Sequence, residues 1–454
     1  MTVNCDRPLA LLVVPPVYDF ALFDLFLKPY GLLRLGRWLA EAGWEVRLIN
    51  GLDYRDSETA SLLGWPKRRA EGTGKFFRQP AQTLDVLKPL LESRRRRGEW
   101  NKPFARYGVL PEVLRRQIRF NSNIRREDHL LLPSSPMGMP GDKSSLHSLE
   151  TPEVYRHPDL ILITTGMTYW YKGVEEVVAM CREEHPTALL CVGGIYVTLL
   201  PDHCRKITGA DLVLQEDNME PLKRALEQRG LPVPLCPVPT FPLPLKEIWA
   251  DAGVIRLNRG CPLSCDYCAS KALYPRFQMG TAEEGFLAFR ELWELCGTRS
   301  FAFYDDALLY RKEEVFLPFL EKVIRYLEGR RIRGEEATLL KPRGIIPMLQ
   351  GKEKGKGIPS VSKARFYLPN GVHLQALDKN TLQLMRRAGV QEIRLGFESA
   401  SPEFHKKYDR KTNATQMRDA VETIKEGGYR EEDVSVYLLA GLPDQEATEV
   451  EASI

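Results

Sequence analysis

The sequence predicts an α/β protein in which an N-terminal, doubly wound Rossmann-like domain is followed by a partial parallel (β/α) barrel. First, short apolar runs alternate with segments of helical spacing in both halves of the chain, which is the pattern of parallel sheets. Second, a proline-rich stretch at residues 229–250 predicts a stiff linker, so that the domains span residues 1–228 and 251–454. Third, polar residues follow successive strands of the second half, as in a barrel with its site on one face.

Composition restricts the classes of function. The chain has 454 residues, of which 43% are hydrophobic and 27% charged, as in a globular protein with buried cores. The net charge of +4 is small for this length and gives no general case for nucleic-acid binding. We expect no membrane span and no signal peptide, because no apolar run has the required length or flanks. Nine scattered cysteines argue against a disulfide framework and predict a reducing, cytoplasmic location.

The N-terminal domain opens with a strand, a helix and a strand. The apolar run between Pro8 and Pro16 predicts a buried strand, the leucine spacing of residues 31–43 predicts a helix, and residues 44–50 resume as a strand. The later strands are predicted at residues 158–165, 188–192 and 210–214, and the later helices at residues 174–184 and 221–228.

Residues 57–157 interrupt this pattern and are predicted to be a basic, partly irregular insertion. The run Arg94–Arg97 is strongly basic, residues 111–120 have the spacing of a helix, and residues 130–150 have the composition of a mobile loop. The arginines indicate either a phosphate or nucleic-acid patch or a solvated helix face. The second interpretation is favoured because no aromatic stacking platform accompanies them. A nucleic-acid partner stays open but is not indicated.

The barrel half begins with three closely spaced cysteines. A predicted buried strand, residues 252–257, leads into the loop that holds Cys261, Cys265 and Cys268. Thiolates suit iron–sulfur clusters or zinc. A closed zinc site takes four ligands, and the next cysteine, Cys296, lies in a helical stretch. Three thiolates on a four-iron cluster would leave one iron open for a substrate, while a zinc loop with a distant fourth ligand, or three unrelated cysteines, remain alternatives.

Four further strands follow the cysteine loop. They are predicted at residues 299–304, 366–377, 392–397 and 434–439, and the helices between them at residues 281–296, 317–327, 381–387 and 417–426. A segment rich in Lys, Gly and Arg, residues 329–363, is predicted to be an exposed insertion. Candidate site residues end three of the strands, namely Asp305 and Asp306, Glu398 and Ser399, and Gly441 and Leu442.

The cysteine spacing C-x3-C-x2-C, with aromatic Tyr267 directly before the last thiol, resembles the cluster motif of the radical S-adenosylmethionine (SAM) superfamily. The resemblance implies a [4Fe-4S] cluster on Cys261, Cys265 and Cys268, with SAM chelating the open iron. In that family the reduced cluster cleaves SAM to a 5′-deoxyadenosyl radical, which usually abstracts hydrogen from a substrate. The resemblance also implies an electron donor such as flavodoxin or ferredoxin. Because the family core has six strands and five are predicted here, the sixth strand is missing.

The resemblance assigns SAM contacts to the strand ends. Asp305 or Asp306 would accept a hydrogen bond from the amino group, where many members have Gly-Gly-Glu. The alternative for either aspartate is a helix N-cap. The other implied contacts are Glu398 and Ser399 for the ribose hydroxyls or the methionine carboxylate, and Tyr267, Gly441 and Leu442 for adenine. Catalytic residues that act on the substrate are not predicted.

Two strand ends of the N-terminal half are candidates for a second cofactor. Thr164 and Thr165 end one predicted strand, and Gly193 and Gly194 end the next, where a glycine pair lets backbone approach a ligand closely. This half resembles the cobalamin-binding domain found ahead of the barrel in one large class of radical SAM enzymes. The resemblance implies that these four residues contact the nucleotide tail and corrin.

One departure concerns the cobalt ligand. That family often has a D-x-H-x-x-G loop whose histidine replaces the lower axial ligand, and His157 and His203 lack its spacing. The sequence therefore predicts that cobalamin, if bound, has no histidine ligand from the protein. A domain that only packs on the barrel or caps its site is the alternative.

The expected function is that of a radical SAM enzyme of unknown substrate. Within the enzyme class, the alternative is a cobalamin-dependent radical SAM methyltransferase or methylthiotransferase that acts on RNA or a peptide. The alternative from another class is a non-catalytic iron–sulfur or zinc binding protein, because only five barrel strands are predicted.

Overall fold

A computed structural model of the chain describes residues 7–24, 26–65, 75–83, 88, 92, 103–121, 156–215, 218–332, 364–442 and 445–454. Its internal contacts divide the chain into two units. The first unit comprises residues 1–21, 31–66 and 76–245, and the second comprises residues 22–30, 67–75 and 246–454. The predicted basic run at 94–97, the loop at 130–150 and most of the insertion at 329–363 lie outside the described residues.

The first unit is built on a parallel sheet. Its strands are β1 Leu9–Val14, β2 Val17–Asp19, β3 Glu45–Asn50, β4 Arg78–Pro80, β5 Ala105–Tyr107, β6 Leu160–Thr165, β7 Leu189–Gly194 and β8 Leu212–Leu214. Five of them pair in parallel in the order β3-β1-β6-β7-β8, which confirms the predicted doubly wound sheet. Every residue of β1 is buried, as its unbroken apolar run predicts for a strand covered on both faces.

Helices cover this sheet. They are α1 Tyr30–Glu41, α2 Ser57–Leu62, α3 Pro111–Phe120, α4 Tyr171–Glu184, α5 Ile195–Leu199, α6 Pro201–Thr208 and α7 Glu220–Gln228, with a 3₁₀ turn at Thr168–Trp170. The apolar side chains of α3 and α4 join those of β1 and β6 in one buried core. The bounds of α3 match the predicted helix at 111–120, with proline in the first turn, where its missing N–H costs nothing.

Two strands of the segment predicted to be irregular, β4 and β5, form a small antiparallel sheet with β2, in the order β2-β5-β4. Arg106 of β5 is buried and donates to Glu176 of α4, to Gln79 and to the Val109 carbonyl. No sequence pattern indicated this sheet, because its strands have only three residues, which is too short for an alternating pattern.

The proline-rich stretch is an ordered part of the first unit as far as Leu245. The Trp38 indole donates to the Cys236 carbonyl at 2.7 Å, and the Trp44 indole donates to the Pro232 carbonyl at 3.0 Å. Carbonyl groups in such a stretch have no strand partner, so side-chain donors satisfy them. The predicted stiff linker therefore lies along α1 through specific hydrogen bonds.

The second unit contains the predicted barrel strands. Its strands are β9 Gly253–Ile255, β10 Asn258–Arg259, β11 Gln278–Met279, β12 Ser300–Phe303, β13 Arg365–Tyr367, β14 Ile393–Glu398 and β15 Val434–Leu438. Parallel pairing joins β9 to β12, β12 to β13, and β14 to β15. Parallel bridges from Phe366 to Val390 and from Val372 to Leu395 connect β13 to β14. Five parallel strands thus follow one another in chain order, as the sequence predicts.

Helices follow these strands in turn. They are α8 Lys246–Trp249, α9 Ser270–Leu273, α10 Ala282–Leu295, α11 Phe316–Ile332, α12 Lys379–Ala388, α13 Pro402–Phe404, α14 Ala414–Glu426 and α15 Ala447–Glu451, with 3₁₀ turns at Leu374–Ala376 and Glu431–Asp433 and a π-helical turn at His405–Asp409. Thr281 and Glu284 form a reciprocal capping box that fixes the start of α10.

The two faces of β12 have different partners. Phe301 and Phe303 pack against phenylalanines of α10 and α11, so Ala302 and Tyr304 point to the opposite face. There Phe26, from the N-terminal part of the sequence, packs with Ala302. The Tyr304 hydroxyl donates to the Phe26 carbonyl. One wall of the barrel interior is therefore supplied by residues 22–30, which no sequence pattern indicated.

Candidate cluster and S-adenosylmethionine site

The cysteine loop leaves the sheet through a tight turn. It runs from β10 to α9, and β10 pairs with β11 in a short antiparallel ribbon. Gly260 at the turn has φ +77°, and a Cβ at this position would lie 3.0 Å from the Tyr274 Cβ. A side chain here would strain the backbone and crowd its neighbour, so glycine is required for the loop to turn away from the strand.

The three thiols of this loop differ in how deeply they are buried. Cys261 is buried, Cys265 is half-buried and Cys268 is exposed. The Leu263 amide donates to the Cys261 sulfur at 3.4 Å, and the Ser270 amide donates to the Cys268 sulfur at 3.5 Å. Such bonds are among the contacts that tune cluster sulfurs.

Burial raises the pKa of Cys261, and the charges of Cys265 and Cys268 raise it further, so the three sulfurs interact across the loop. Among the residues that the structure describes, no three His, Cys, Asp or Glu side chains form a group that could hold a metal ion as they stand. The ligand role of the triad therefore stays a prediction. The donor chemistry supports it, because three soft thiolates with amide donors suit an iron–sulfur cluster.

Asp305 connects β12 to the strand that enters the loop. Its carboxylate accepts hydrogen bonds from the Asn258 amide at 2.6 Å and the Leu257 amide at 3.1 Å. Burial raises the pKa of Asp305 to about 7, although the hydrogen bonds from the two backbone amides lower it. A carboxylate already bound to two amides and removed from solvent has a structural role.

Asp306 is the better placed of the two aspartates for a ligand. Burial raises its pKa, whereas a hydrogen bond from Ser270 and the charge of Arg256 lower it. Its own charge raises the pKa of Cys261, so this carboxylate faces the thiol loop. The predicted N-cap role is wrong for both aspartates, because the next helix begins only at Phe316. The contact with the SAM amino group was predicted for either aspartate. Asp306 is better placed for it than Asp305, and the contact stays a prediction.

Glu398 ends β14 in a strained backbone conformation, with φ +73°. Its carboxylate accepts from the Lys411 ammonium at 2.9 Å. The same ammonium lies 5.6 Å from the centre of the Tyr267 ring. The structure thus brings together Tyr267 and Glu398, two predicted SAM contacts, and adds Lys411, which sequence reasoning missed.

Tyr267 is anchored by its hydroxyl as well as its ring. The hydroxyl donates to the Asp409 carboxylate at 3.0 Å, and the neighbouring Asp266 amide donates to the Tyr408 carbonyl at 2.9 Å. Burial raises the pKa of Tyr267, and the charge of Glu398 adds to this. Residues 404–411, which we call the anchor segment, therefore hold the cysteine loop in place.

The π-helical turn within the anchor segment gathers polar side chains. His405 is buried, with Nδ1 2.9 Å from the Asp409 carboxylate and Nε2 2.7 Å from the Ser399 carbonyl. π-helical turns often occur at functional sites, where the extra residue redirects a side chain. Sequence spacing could not identify Asp409 or His405, because a single π turn interrupts the helical period.

The other predicted SAM contacts are engaged with protein groups. The Ser399 hydroxyl donates to Glu449 of α15 at 3.1 Å. The amides of Gly441 and Leu442 donate to the Gln445 side chain at 2.8 and 3.3 Å. The structure places all three near the end of β14, since the Leu439 amide donates to the Glu398 carbonyl. Their contacts with SAM stay predictions, and Ser399 would first have to leave Glu449.

Asn258 is a candidate that sequence reasoning did not single out. It is buried at the start of the cysteine loop, and neither atom of its side-chain amide has a hydrogen-bond partner among the described residues. Buried amides are nearly always hydrogen-bonded, so a bound group or water near the loop is expected to satisfy this one.

The predicted cobalamin contacts lie side by side in the first unit. Thr164 pairs with Gly193, and Thr165 pairs with Gly194, at the carboxyl ends of β6 and β7. Gly194 has φ +119°, and a Cβ there would lie 2.5 Å from the Thr165 carbonyl oxygen. The buried Thr165 hydroxyl has no hydrogen-bond partner within the part of the chain that the structure describes. A side-chain-free edge with an unsatisfied hydroxyl fits a cofactor that approaches the backbone closely.

The two histidines considered for cobalt are engaged elsewhere. His157 precedes β6, at the sheet edge opposite Thr165, and its Nδ1 lies 3.2 Å from that of His185. His203 of α6 is hydrogen-bonded to the Tyr196 hydroxyl at 2.6 Å. The expectation of a cobalamin without a histidine ligand stays a prediction.

Comparison with known proteins identifies a domain in the C-terminal part of the chain. Residues 255–454 match the radical SAM superfamily, so this part of the chain is similar to a radical SAM domain. The match begins at the last residue of β9 and includes the cysteine loop, Asp306, Glu398 and the anchor segment. The radical SAM family uses a [4Fe-4S] cluster and SAM.

One curated protein is similar to this chain in sequence, and one solved protein is similar to it in structure. An uncharacterized methyltransferase from Pyrococcus horikoshii is 24% identical over 330 residues, a match that spans 65% of this chain and 63% of the relative's length. The radical SAM methyltransferase TsrM from Kitasatospora setae, with tryptophan substrate and a SAM analogue bound, is similar with a TM-score of 0.55 at 13% identity, covering 98% of this chain and 70% of TsrM. The structure of TsrM with cobalamin and a [4Fe-4S] cluster bound is similar with a TM-score of 0.54 at 13% identity, and the match covers 98% of this chain and 72% of TsrM. At this identity the likeness shows the fold.

Proposed function

We propose that the protein is a radical SAM enzyme whose cluster is held by Cys261, Cys265 and Cys268. The observation that carries the proposal is the position of the thiol loop, directly after the first barrel strand and within the matched residues 255–454. When bound, a [4Fe-4S] cluster with an open iron supplies the electron that cleaves SAM to a 5′-deoxyadenosyl radical and methionine. The residues of this chain bind and orient SAM for that step.

Two carboxylates divide the proposed binding of SAM between them. Asp306, which interacts electrostatically with Cys261, accepts a hydrogen bond from the ammonium group next to the cluster. Glu398 accepts from the ribose or orients the methionine end, and its pairing with Lys411 fixes the position of its carboxylate. The Tyr267 ring, held by Asp409, gives adenine an apolar surface.

A second candidate function is that of a cobalamin-dependent radical SAM methyltransferase. Three observations favour it: the likeness to TsrM over 98% of this chain, the relative named as a methyltransferase, and the strand ends at which Gly193 and Gly194 lie beside Thr164 and Thr165. A methylthiotransferase is the related alternative. The substrate is not specified by any of these observations.

The proposal includes a low-potential electron donor, such as flavodoxin or ferredoxin, and a cytoplasmic location. Every cysteine that the structure describes is a free thiol, which suits a reducing compartment. In the described part of the chain, no helix has the length and apolar character needed to span a membrane.

The test is the reductive cleavage of SAM. Anaerobically reconstituted full-length protein, given SAM and dithionite, should release 5′-deoxyadenosine and methionine, detected by chromatography. Glu398→Ala should weaken SAM binding about ten- to a hundredfold, because a charged acceptor contributes about 1.5–3 kcal/mol. A fully clustered protein that binds SAM and never yields 5′-deoxyadenosine would instead support a non-catalytic iron–sulfur protein.

A further inference from the structure

A buried cation lies against the cysteine loop without an assigned role. The Lys411 ammonium is 2.9 Å from the Glu398 carboxylate and 3.9 Å from the Asp409 carboxylate. The side chains of Lys411 and Glu398 are 10% and 15% exposed, and that of Asp409 is fully buried. Charges in such surroundings are weakly screened by solvent and salt, so they act over longer distances than surface charges do.

The position of this cation relative to the loop is fixed by several contacts. The ammonium lies over the ring of Tyr267, the residue between Cys265 and Cys268 in their common loop. The Tyr267 hydroxyl is bound to Asp409, two residues before Lys411. The two contacts place the ammonium next to the segment that joins Cys265 to Cys268.

The groups around Lys411 form one hydrogen-bonded network. His405 Nε2 lies 2.7 Å from the Ser399 carbonyl oxygen, and His405 Nδ1 lies 2.9 Å from the Asp409 carboxylate. The Asp409 carboxylate also accepts from the Tyr267 hydroxyl. The Lys411 ammonium faces the carboxylates of both Glu398 and Asp409, so it is held in place next to the residue that precedes Cys268.

We propose that Lys411 sets the reduction potential of the cluster on the cysteine triad by holding a buried positive charge over the ring of Tyr267 in the cysteine loop. This inference rests on the proposed function. Reduction adds one electron from the donor to the cluster, with no bond formed or broken in the protein. A fixed positive charge stabilises the added negative charge, and net charge near a cluster is one of the factors that set its potential. Glu398 has the opposite effect and limits the size of the shift.

The test uses full-length, reconstituted protein without SAM, titrated with dithionite while electron paramagnetic resonance follows the reduced cluster. In Lys411→Met the equilibrium constant for reduction should fall at least tenfold, which is about 59 mV toward negative potential for a one-electron couple. In Glu398→Gln the potential should move in the opposite direction. Lys411→Arg keeps the charge and should stay close to the wild type.

Lys407 provides the matched control. It lies on the π-helical turn that precedes Lys411, is exposed, and places its ammonium over the Tyr408 ring at 4.7 Å. Lys407→Met removes the same charge from an exposed position of the anchor segment and should leave the potential unchanged, because solvent and salt screen an exposed charge. High salt should leave the Lys411→Met shift in place, because the buried charge is poorly screened.

Opposite shifts separate an electrostatic role from a structural one. A substitution that only loosens the loop would cost iron or move both variants in the same direction. The proposal is overturned if Lys411→Met holds a full cluster at the wild-type potential, or if Glu398→Gln does not shift to positive potential. If Lys411→Met fails to bind a cluster, the potential of Glu398→Gln alone decides whether the proposal stands. Wild-type protein without iron would instead contradict the proposed function.

Discussion

At the carboxyl ends of β6 and β7, the first unit presents a glycine pair packed against a neighbouring strand end, whereas around the cysteine loop the second unit presents charged groups that bind one another. A Cβ at Gly194 would lie 2.5 Å from the Thr165 carbonyl oxygen and 2.8 Å from the Thr165 hydroxyl. In the second unit, Glu398 is paired with Lys411, and Asp409 accepts a hydrogen bond from Tyr267. The first arrangement therefore depends on the backbone of a glycine. The second holds the loop in position through side-chain contacts.

The largest expected effect comes from the centre of the charged region. Asp409→Ala would leave the Tyr267 hydroxyl and the His405 ring without their buried acceptor. Loss of one partner of a buried charged group typically costs about 3–5 kcal/mol in the free energy of unfolding. Urea unfolding of the cluster-free protein measures it, with the exposed residue of a surface pair, Glu403→Ala, as the control. A loss below about 1 kcal/mol would show that the anchor segment does not depend on Asp409.

The pH dependence of stability tests the structural role of Asp305 in the second unit. Its pKa of about 7 in the folded protein is above the unfolded value of 3.8, so the native state binds this proton more tightly between these values. The contribution to stability is therefore complete at pH 4 and falls as the pH rises to about 7, by at most about 1.4 kcal/mol per unit. Denaturant unfolding across this range, compared with Asp305→Asn, isolates the effect. Identical pH slopes for the two proteins would contradict the assignment.

The smallest expected effect comes from the glycine pair of the first unit. Gly194→Ala forces a side chain into φ +119° and places Cβ 2.5 Å from the Thr165 carbonyl, which should cost about 1–3 kcal/mol. Gly193→Ala is the matched control, because its Cβ would meet its nearest atom at 3.5 Å, an ordinary contact. Thermal unfolding measures both. If cobalamin binds, its affinity should fall in the Gly194 variant more than in the control, and equal losses would argue against close approach at Gly194.

The sequence was sufficient for the features that follow a regular pattern. Long apolar runs such as residues 9–14 and 160–165 predicted the parallel strands, and fixed spacing predicted the cysteine loop. The two strand-end pairs of the first unit were also placed side by side, because carboxyl ends of neighbouring parallel strands meet at one edge.

Other features have no local pattern. Asp409 ends a π-helical turn and Lys411 follows it, and both contact Tyr267 only because of the fold, so no spacing in the sequence connects them to it. Asp305 and Asp306 are neighbours with different surroundings. Asp305 accepts from backbone amides, whereas Asp306 faces Cys261. The sequence does not show which of the two aspartates takes each position. Phe26 reaches the barrel strands from a distant part of the chain.

The metal content of the cysteine loop tests the central claim most directly. After anaerobic reconstitution, the wild-type protein and Cys296→Ala should each hold about four irons per chain with broad thiolate-to-iron absorption. The variant with Cys261, Cys265 and Cys268 all changed to Ala should hold none. Iron retained by the triple variant, or zinc in place of iron in the wild type, would contradict the account.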